Sequence, residues 1–295
     1  MLLVVRLTRR LLKELALKVY GEDLARKVWG RIEIIGDIAV IRKPFDLEVE
    51  TLKPLADEIL RSLPYVKSVW AAITPVKGEY RVRNYVHLAG EERSTTLYRE
   101  HGCVFKVDIK ETYVSPVLNY EHLRIASQVR DGEFVINMFA GVGLFSIIMA
   151  RKANPSKVIS IDINPRAYEL MVENVRLNKV EDTVIPVLGD AGKVVAEQYV
   201  GTADRVLMPL PLLVHEYLPI AVKALRSEGF IHVYEFTRAM SREEAVRIVE
   251  ESFLDELRRL GVEAEAVNGR VVRSAGPRRY QVVVDLKIYR TSSSS

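Results

Sequence analysis

The chain has 295 residues, 48% hydrophobic and 28% charged, a balance that supports buried cores and excludes a disordered polymer. Its net charge of +4 is too small to mark a nucleic-acid partner by itself, although the whole excess lies early: 20 Lys and Arg against 16 Asp and Glu in residues 1–116, and 23 against 23 thereafter. A single cysteine, Cys103, excludes an internal disulfide and a cysteine metal cluster, and the five histidines stand apart at 87, 101, 122, 215 and 232, so no metal site is expected.

The first twenty residues mix basic and apolar side chains, with only residues 2–5 continuously apolar, so they read as neither a secretion signal nor a membrane span. A cytoplasmic location is expected. Residues 7–20 have helical spacing, 31–42 read as strands turning at Gly36-Asp37, and 46–63 read as a helix capped at Asp46. After Pro64 come strand-like runs at 66–73, 79–88, 95–100 and 104–109, separated by glycine-bearing turns. Residues 1–116 therefore read as a small α+β domain with a mixed sheet and no βαβ unit.

From Asn119 the pattern changes. Strands at 134–138, 157–161, 183–188, 203–208 and 228–234 alternate with helices near 143–153, 166–178, 212–226 and 241–260. That alternation predicts a doubly wound parallel sheet with helices on both faces. Runs at 263–273 and 279–289, joined by Ser274-Ala275-Gly276-Pro277, are close enough to form an antiparallel hairpin. Residues 117–290 thus form the second predicted domain, the serine-rich 291–295 read as a disordered tail, and no repeats occur.

The most informative stretch is Phe134 to Ser146, an apolar run that ends in a glycine turn and passes into a helix pattern. About twenty residues later a second apolar run ends at Asp162. Glycines at 141 and 143 allow close backbone approach to a ligand, and an acid at the tip of the neighbouring strand can accept both ribose hydroxyls. A dinucleotide fingerprint needs a third glycine for close helix packing, and bulky Leu144, Phe145 and Ser146 fill that place. This disfavours NAD. The run Phe139-Ala140-Gly141-Val142-Gly143 resembles motif I of the class I S-adenosylmethionine-dependent methyltransferases. That resemblance implies Asp162 as the ribose acid and Gly189-Asp190-Ala191 as the adenine-contacting turn, and adds Ile163 and Met208 to the cofactor-binding residues. The terminal hairpin resembles the way those enzymes end.

The fourth strand leads into Met208-Pro209-Leu210-Pro211. Substrates approach open α/β sheets at the carboxyl ends of their strands, so the prolines form a stiff wall that offers carbonyls and no N–H. Alternatively, Pro211 opens the next helix at its first turn.

Residues 30–290 are similar to the archaeal and eukaryotic enzymes that methylate N1 of guanosine-37 in tRNA, together with their wyosine-pathway relatives. The similarity rests on Tyr80-Arg81-Val-Arg-Asn-Tyr-Val-His-Leu-Ala-Gly-Glu91, Tyr113-Val-Ser-Pro116, Glu121-His-Leu-Arg124, Asn137 to Ser146, Ile161-Asp-Ile-Asn-Pro165, Glu173-Asn-Val-Arg-Leu-Asn178 and Val272-Arg-Ser-Ala-Gly-Pro277. It implies that residues 1–116 present the anticodon loop of tRNA, tRNA-Phe among them, to the catalytic domain, with no counterpart of the tRNA-elbow domain that many members carry. It further implies Glu121 as the base that removes the N1 proton, Arg81 as stabiliser of charge moving onto O6, and Tyr113 as a residue stacking on the flipped base. Pro209 and Pro211 border the reacting atom. Chemistry agrees with these assignments, since a desolvated carboxylate is a better base and a guanidinium stays cationic. Read without the similarity, the three are a helix-surface glutamate, a strand-face arginine and a core tyrosine.

Three positions depart from the family pattern. Asn137 stands for an acid that contacts the cofactor's amino group, Val117 for an arginine after the Ser-Pro, and Pro209 for the asparagine of Asn-Leu-Pro. A proline there resembles the bifunctional archaeal subtype, which methylates guanosine-37 and also C7 of 4-demethylwyosine. Two alternatives remain at this stage: a transferase moving the 3-amino-3-carboxypropyl group of the same cofactor onto 4-demethylwyosine, and a non-catalytic RNA-binding protein with the same fold.

Overall fold

The computed structural model describes residues 2–28, 30–75, 78 and 80–289, so the serine-rich tail lies outside it. The chain divides into two compact units, residues 1–116 and 117–295.

In the first unit, helix α1 (Leu2–Ala25) is broken by Gly21, whose positive φ interrupts the helical backbone. Strands β1 (Glu33–Ile35) and β2 (Ile38–Arg42) form the expected hairpin, tight enough that Gly36 takes a φ of 58°. Residues 46–63 are not one helix. A 3₁₀ turn at Val49–Leu52 precedes α2 (Lys53–Ser62), because Pro54 can neither donate a helical hydrogen bond nor clear the preceding turn and is accommodated only in a first turn. Strand β3 (Ser68–Ala72) runs parallel to β2, so β2-α2-β3 is a βαβ crossover, which the sequence reading had excluded. Antiparallel β4 (Tyr85–Gly90) completes a mixed sheet in the order β1-β2-β3-β4, and β5 (Thr95–Glu100) with β6 (Cys103–Asp108) makes a separate hairpin. One face of the sheet buries Ala39, Ile41, Val69 and Ala71 against Leu55, Ala56 and Ile59 of α2. Cys103 is a buried hydrophobe, as expected.

The second unit begins with α3 (Asn119–Ala126) and continues β7 (Phe134–Asn137), α4 (Leu144–Lys152), β8 (Lys157–Asp162), α5 (Pro165–Leu177), β9 (Val184–Leu188), α6 (Ala191–Gln198), β10 (Ala203–Met208), α7 (Val214–Ala224), β11 (Leu225–Arg238), α8 (Arg242–Arg259), β12 (Glu263–Gly276) and β13 (Arg279–Tyr289). The sheet order is β12-β13-β11-β10-β7-β8-β9. Strands β7 to β11 pair in parallel and β13 is antiparallel to both of its neighbours. Strand order reverses between β7 and β10, and in open α/β sheets ligands bind outside the carboxyl ends of the strands at such a point. Helix α6 is an addition to the predicted set, and Glu121 on α3 is buried and not on the helix surface. Helix α7 begins at Val214, three residues after Pro211, so Pro211 lies in the preceding turn and does not open the helix.

Candidate active site

The glycine turn lies where β7 passes into α4. Gly141 and Gly143 have φ of 57° and 92°, a left-handed backbone that other residues adopt only with strain. A Cβ at Gly143 would stand 3.0 Å from Met171 Cγ and 3.1 Å from Ile147 Cδ1, so packing beneath the turn is what excludes a side chain there. Asp162 closes the turn from β8. Its Oδ2 accepts from Gly141 N–H at 2.6 Å and its Oδ1 from Asn164 N–H at 2.9 Å. Each oxygen keeps a free lone-pair direction. Burial raises the Asp162 carboxyl above its usual range, against the lowering effect of those two amide bonds. Beside it Ile163 is exposed.

Asp190 caps α6 through Lys193 N–H at 2.9 Å, and its other oxygen accepts from the Tyr217 hydroxyl. The Tyr217 ring meets Phe139 edge to face at 5.3 Å. Sequence reasoning selected Phe139 and Asp190 but missed Tyr217, which α7 brings in from 27 residues beyond Asp190. Ala140 and Ala191 are buried, and Met208 is wholly buried in the hydrophobic core with Met138 and Val206, so the Met208 side chain serves packing. Pro209 and Pro211 are half-buried in the turn after β10.

Glu121, on α3, is 1% exposed. Its Oε2 accepts from Arg124 Nε at 2.9 Å and from the Tyr234 hydroxyl at 3.2 Å. Its Oε1 lies 2.8 Å from Arg270 Nη1, an ion pair without hydrogen-bond alignment, so both atoms lack a hydrogen-bond partner. Behind Glu121 runs a buried polar chain. Arg124 forks onto both oxygens of Asp285, which also accepts from His232 Nδ1 at 2.7 Å, and from Gln128 and Asn268 at 3.0 Å each. Arg205 reaches His232 Nε2 at 2.7 Å and pairs with both oxygens of Glu133. A guanidinium only donates, so Nε2 accepts and His232 is a neutral imidazole carrying its proton on Nδ1. Burial lowers the His232 imidazole in agreement, outweighing Asp285.

Arg81 and Tyr113 belong to the first unit. Arg81 is not on a strand face: it sits in the turn before β4 with a φ of 58°, its N–H donating to Gly78 O at 3.3 Å. Tyr113 lies in the segment after β6.

Two family models match the chain: the TRM5/TYW2 methyltransferase domain over residues 96–259 and the TYW2 N-terminal domain over residues 12–94. The chain belongs to the TRM5/TYW2 methyltransferase family. It is thus an S-adenosylmethionine-dependent tRNA methyltransferase with a Rossmann-like catalytic sheet. A relative named tRNA 4-demethylwyosine(37)-methyltransferase Taw21, from Saccharolobus solfataricus, is 44% identical over 88% of this chain and 94% of its own length. A tRNA(Phe) (4-demethylwyosine(37)-C(7)) aminocarboxypropyltransferase of Methanocaldococcus jannaschii is 30% identical over 87% of this chain and 97% of its own. Among solved structures, aTrm5 in complex with tRNALeu superimposes with a TM-score of 0.82 at 32% identity, covering 94% of this chain and 78% of that one. The P. horikoshii TYW2 complex with MeSAdo gives 0.77 at 27%, covering 96% and 100%.

The methyltransferase has residues that fit its cofactor. Asp162 offers two fixed acceptors beside an apolar Ile163 that is 37% exposed. Asn137 is fully buried at the carboxyl end of β7, its Nδ2 bonded to Ser146 Oγ at 3.1 Å and its Oδ1 without a hydrogen-bond partner among the described residues. An ammonium group of the cofactor would supply the donor that oxygen lacks. No group of three or more metal-ligating side chains occurs among the described residues.

Proposed function

We propose that this enzyme methylates nucleotide 37 of tRNA in the formation of wyosine derivatives, with C7 of 4-demethylwyosine as one acceptor and N1 of guanosine-37 as the other. Residues 1–116 present the anticodon loop, and residues 117–290 carry out the transfer. The turn after β10 carries the reading. Pro209-Leu210-Pro211 puts two residues without an N–H and an apolar side chain where an asparagine amide would read the guanine edge, and a wall of that kind suits the broad face of a tricyclic base. The 44% identity to the Saccharolobus solfataricus methyltransferase supports the same choice.

Bound S-adenosylmethionine supplies an electrophilic methyl group; the chain's residues do the rest. Asp162 holds the ribose hydroxyls, while Phe139, Asp190 and Tyr217 line the adenine side. Glu121 takes the proton that N1 of guanosine must lose before attack, or that C7 must lose after it. Arg81 offsets negative charge building on the base. Tyr113 stacks on the base once it has left the anticodon stack.

Asp162→Ala raises the dissociation constant for S-adenosylmethionine by about 10- to 100-fold, the effect of losing hydrogen bonds to a charged acceptor, as measured by calorimetry. The functional reading is tested with two tRNA-Phe substrates, one with unmodified guanosine-37 and one with 4-demethylwyosine, followed by nucleoside mass spectrometry. A gain of about 14 Da on each is expected, from the mass of a transferred methyl group. No gain on the second substrate, or about 101 Da, the mass of an aminocarboxypropyl group, contradicts it.

A further inference from the structure

Glu121 cannot act as a base in the arrangement that holds it. The groups facing it come from four elements: Arg124 on α3, Tyr234 on β11, Arg270 on β12 and, behind Arg124, Asp285 on β13. Oε2 is taken by two donors. Arg124 is also fixed, because the fork onto Asp285 commits its other two nitrogens, and its side chain is only 9% exposed. Its charge is matched by Asp285, as that of Arg205 is matched by Glu133, and His232 between them is neutral. Arg270 is what balances Glu121. It covers Oε1, the oxygen without a hydrogen bond, so any proton reaching the carboxylate must come past this guanidinium. Arg270 is the less enclosed partner: its side chain is 29% exposed against 9% for Arg124, and its planar head lies 4.3 Å from the centre of the half-exposed Tyr120 ring, which gives it a second contact.

We propose that Arg270 is a gate on Glu121, a positioning residue that pairs with Oε1 until the target base enters and displaces it. The inference rests on the reading of Glu121 as the base. In the resting enzyme the ion pair covers Oε1 and closes the carboxylate to water. Once the base is seated Arg270 has left, Oε1 is open, and the proton moves from the nucleotide to that oxygen. The rate-limiting ingredient is thereby assembled only around a bound substrate.

The split between kcat and KM separates this from a static ion pair, because a gate must be broken on binding the nucleotide whereas a static partner acts in the transfer itself. In Arg270→Gln, which keeps the stem but loses the charge, KM for tRNA falls by about two- to fivefold, the worth of a partly exposed ion pair that binding no longer breaks, and kcat is unchanged. Arg270→Lys, which keeps a cation on β12 whether or not the neutral variant folds, retains the wild-type KM and kcat. A loss of kcat in Arg270→Gln shows that Arg270 stays on Glu121 through the reaction and overturns the gate, as does an unchanged KM. Glu121→Gln in the same assay tests the underlying reading separately: wild-type kcat there removes Glu121 as the base, whereas loss of kcat with an unchanged KM in Arg270→Gln removes the gate alone.

Discussion

Replacing Glu121 by glutamine lowers kcat by about 10²- to 10⁴-fold, the range general base catalysis supplies, and leaves the dissociation constant for S-adenosylmethionine unchanged. Glutamine keeps the volume of the side chain and an oxygen that accepts from Arg124 and the Tyr234 hydroxyl, so the packing around α3 survives. What it cannot do is take a proton from the nucleotide. The variant also leaves the charge of Arg270 without its carboxylate, but that arginine is partly exposed and water relieves it. Single-turnover rates with tRNA, read beside calorimetric binding of the cofactor, distinguish the two effects. A variant that binds cofactor more weakly and transfers at the wild-type rate places Glu121 outside the chemistry.

Removing Asp285 produces the largest loss of stability. Its carboxylate is 1% exposed and receives five donor contacts from Arg124, His232, Gln128 and Asn268. Asp285→Ala leaves the Arg124 guanidinium buried without its counter-charge, a defect that costs about 3–5 kcal/mol in comparable buried pairs. Denaturant unfolding measures it, and an effect below about 1 kcal/mol, the scale of exposed ion pairs, contradicts the account.

The pH dependence has a definite sign. Burial alone would raise the Asp285 carboxyl, but the hydrogen bonds from His232 and Arg124, together with the charge of Arg124, hold it well below the usual carboxylate range. A depressed carboxyl contributes stability that is present above its unfolded value, about 3.9, and is lost as pH falls through the folded value. His232 is a base kept neutral by burial, so the unfolded chain binds its proton more readily, and its contribution begins to fade as pH falls below about 6.5. The wild type therefore loses stability in two acid stages, and Asp285→Ala lacks the lower one.

Much of the second unit was legible because each signal was local. The turn at Gly141 and Gly143 and the acid at Asp162 lie within one βαβ unit, and the structure joins them directly through the Gly141 N–H. Helix α6 escaped notice because eight residues give little periodicity, although Asp190 with Lys193 N–H is an ordinary N-cap. In the first unit, the failed helix start at Asp46 and the missed β2-α2-β3 crossover have one origin. Pro54 divides the segment, and the shorter helix that remains is long enough to return the chain parallel to β2. Met208 is expected at the cofactor only through the resemblance, and its side chain is buried in the core, which no local pattern foretells.

The buried chain behind Glu121 was invisible for another reason. Its partners are far apart in sequence, 161 residues between Arg124 and Asp285, and no local rule pairs them. One sign was nevertheless present. Arg205 borders the apolar run 206–208, His232 and Asp285 sit inside the apolar runs 230–234 and 282–286, and a charged or polar group at such a position must find a partner inside. Three such positions in neighbouring strands β10, β11 and β13 predict one shared network.

The most direct test of methyl transfer to nucleotide 37 uses S-adenosylmethionine labelled separately in its methyl carbon and in its aminocarboxypropyl carbons, with tRNA-Phe carrying 4-demethylwyosine. Methyl label entering nucleotide 37, with the aminocarboxypropyl label left in the small-molecule fraction, is the predicted result. Aminocarboxypropyl label in the tRNA, or methyl label at any other nucleotide, contradicts it.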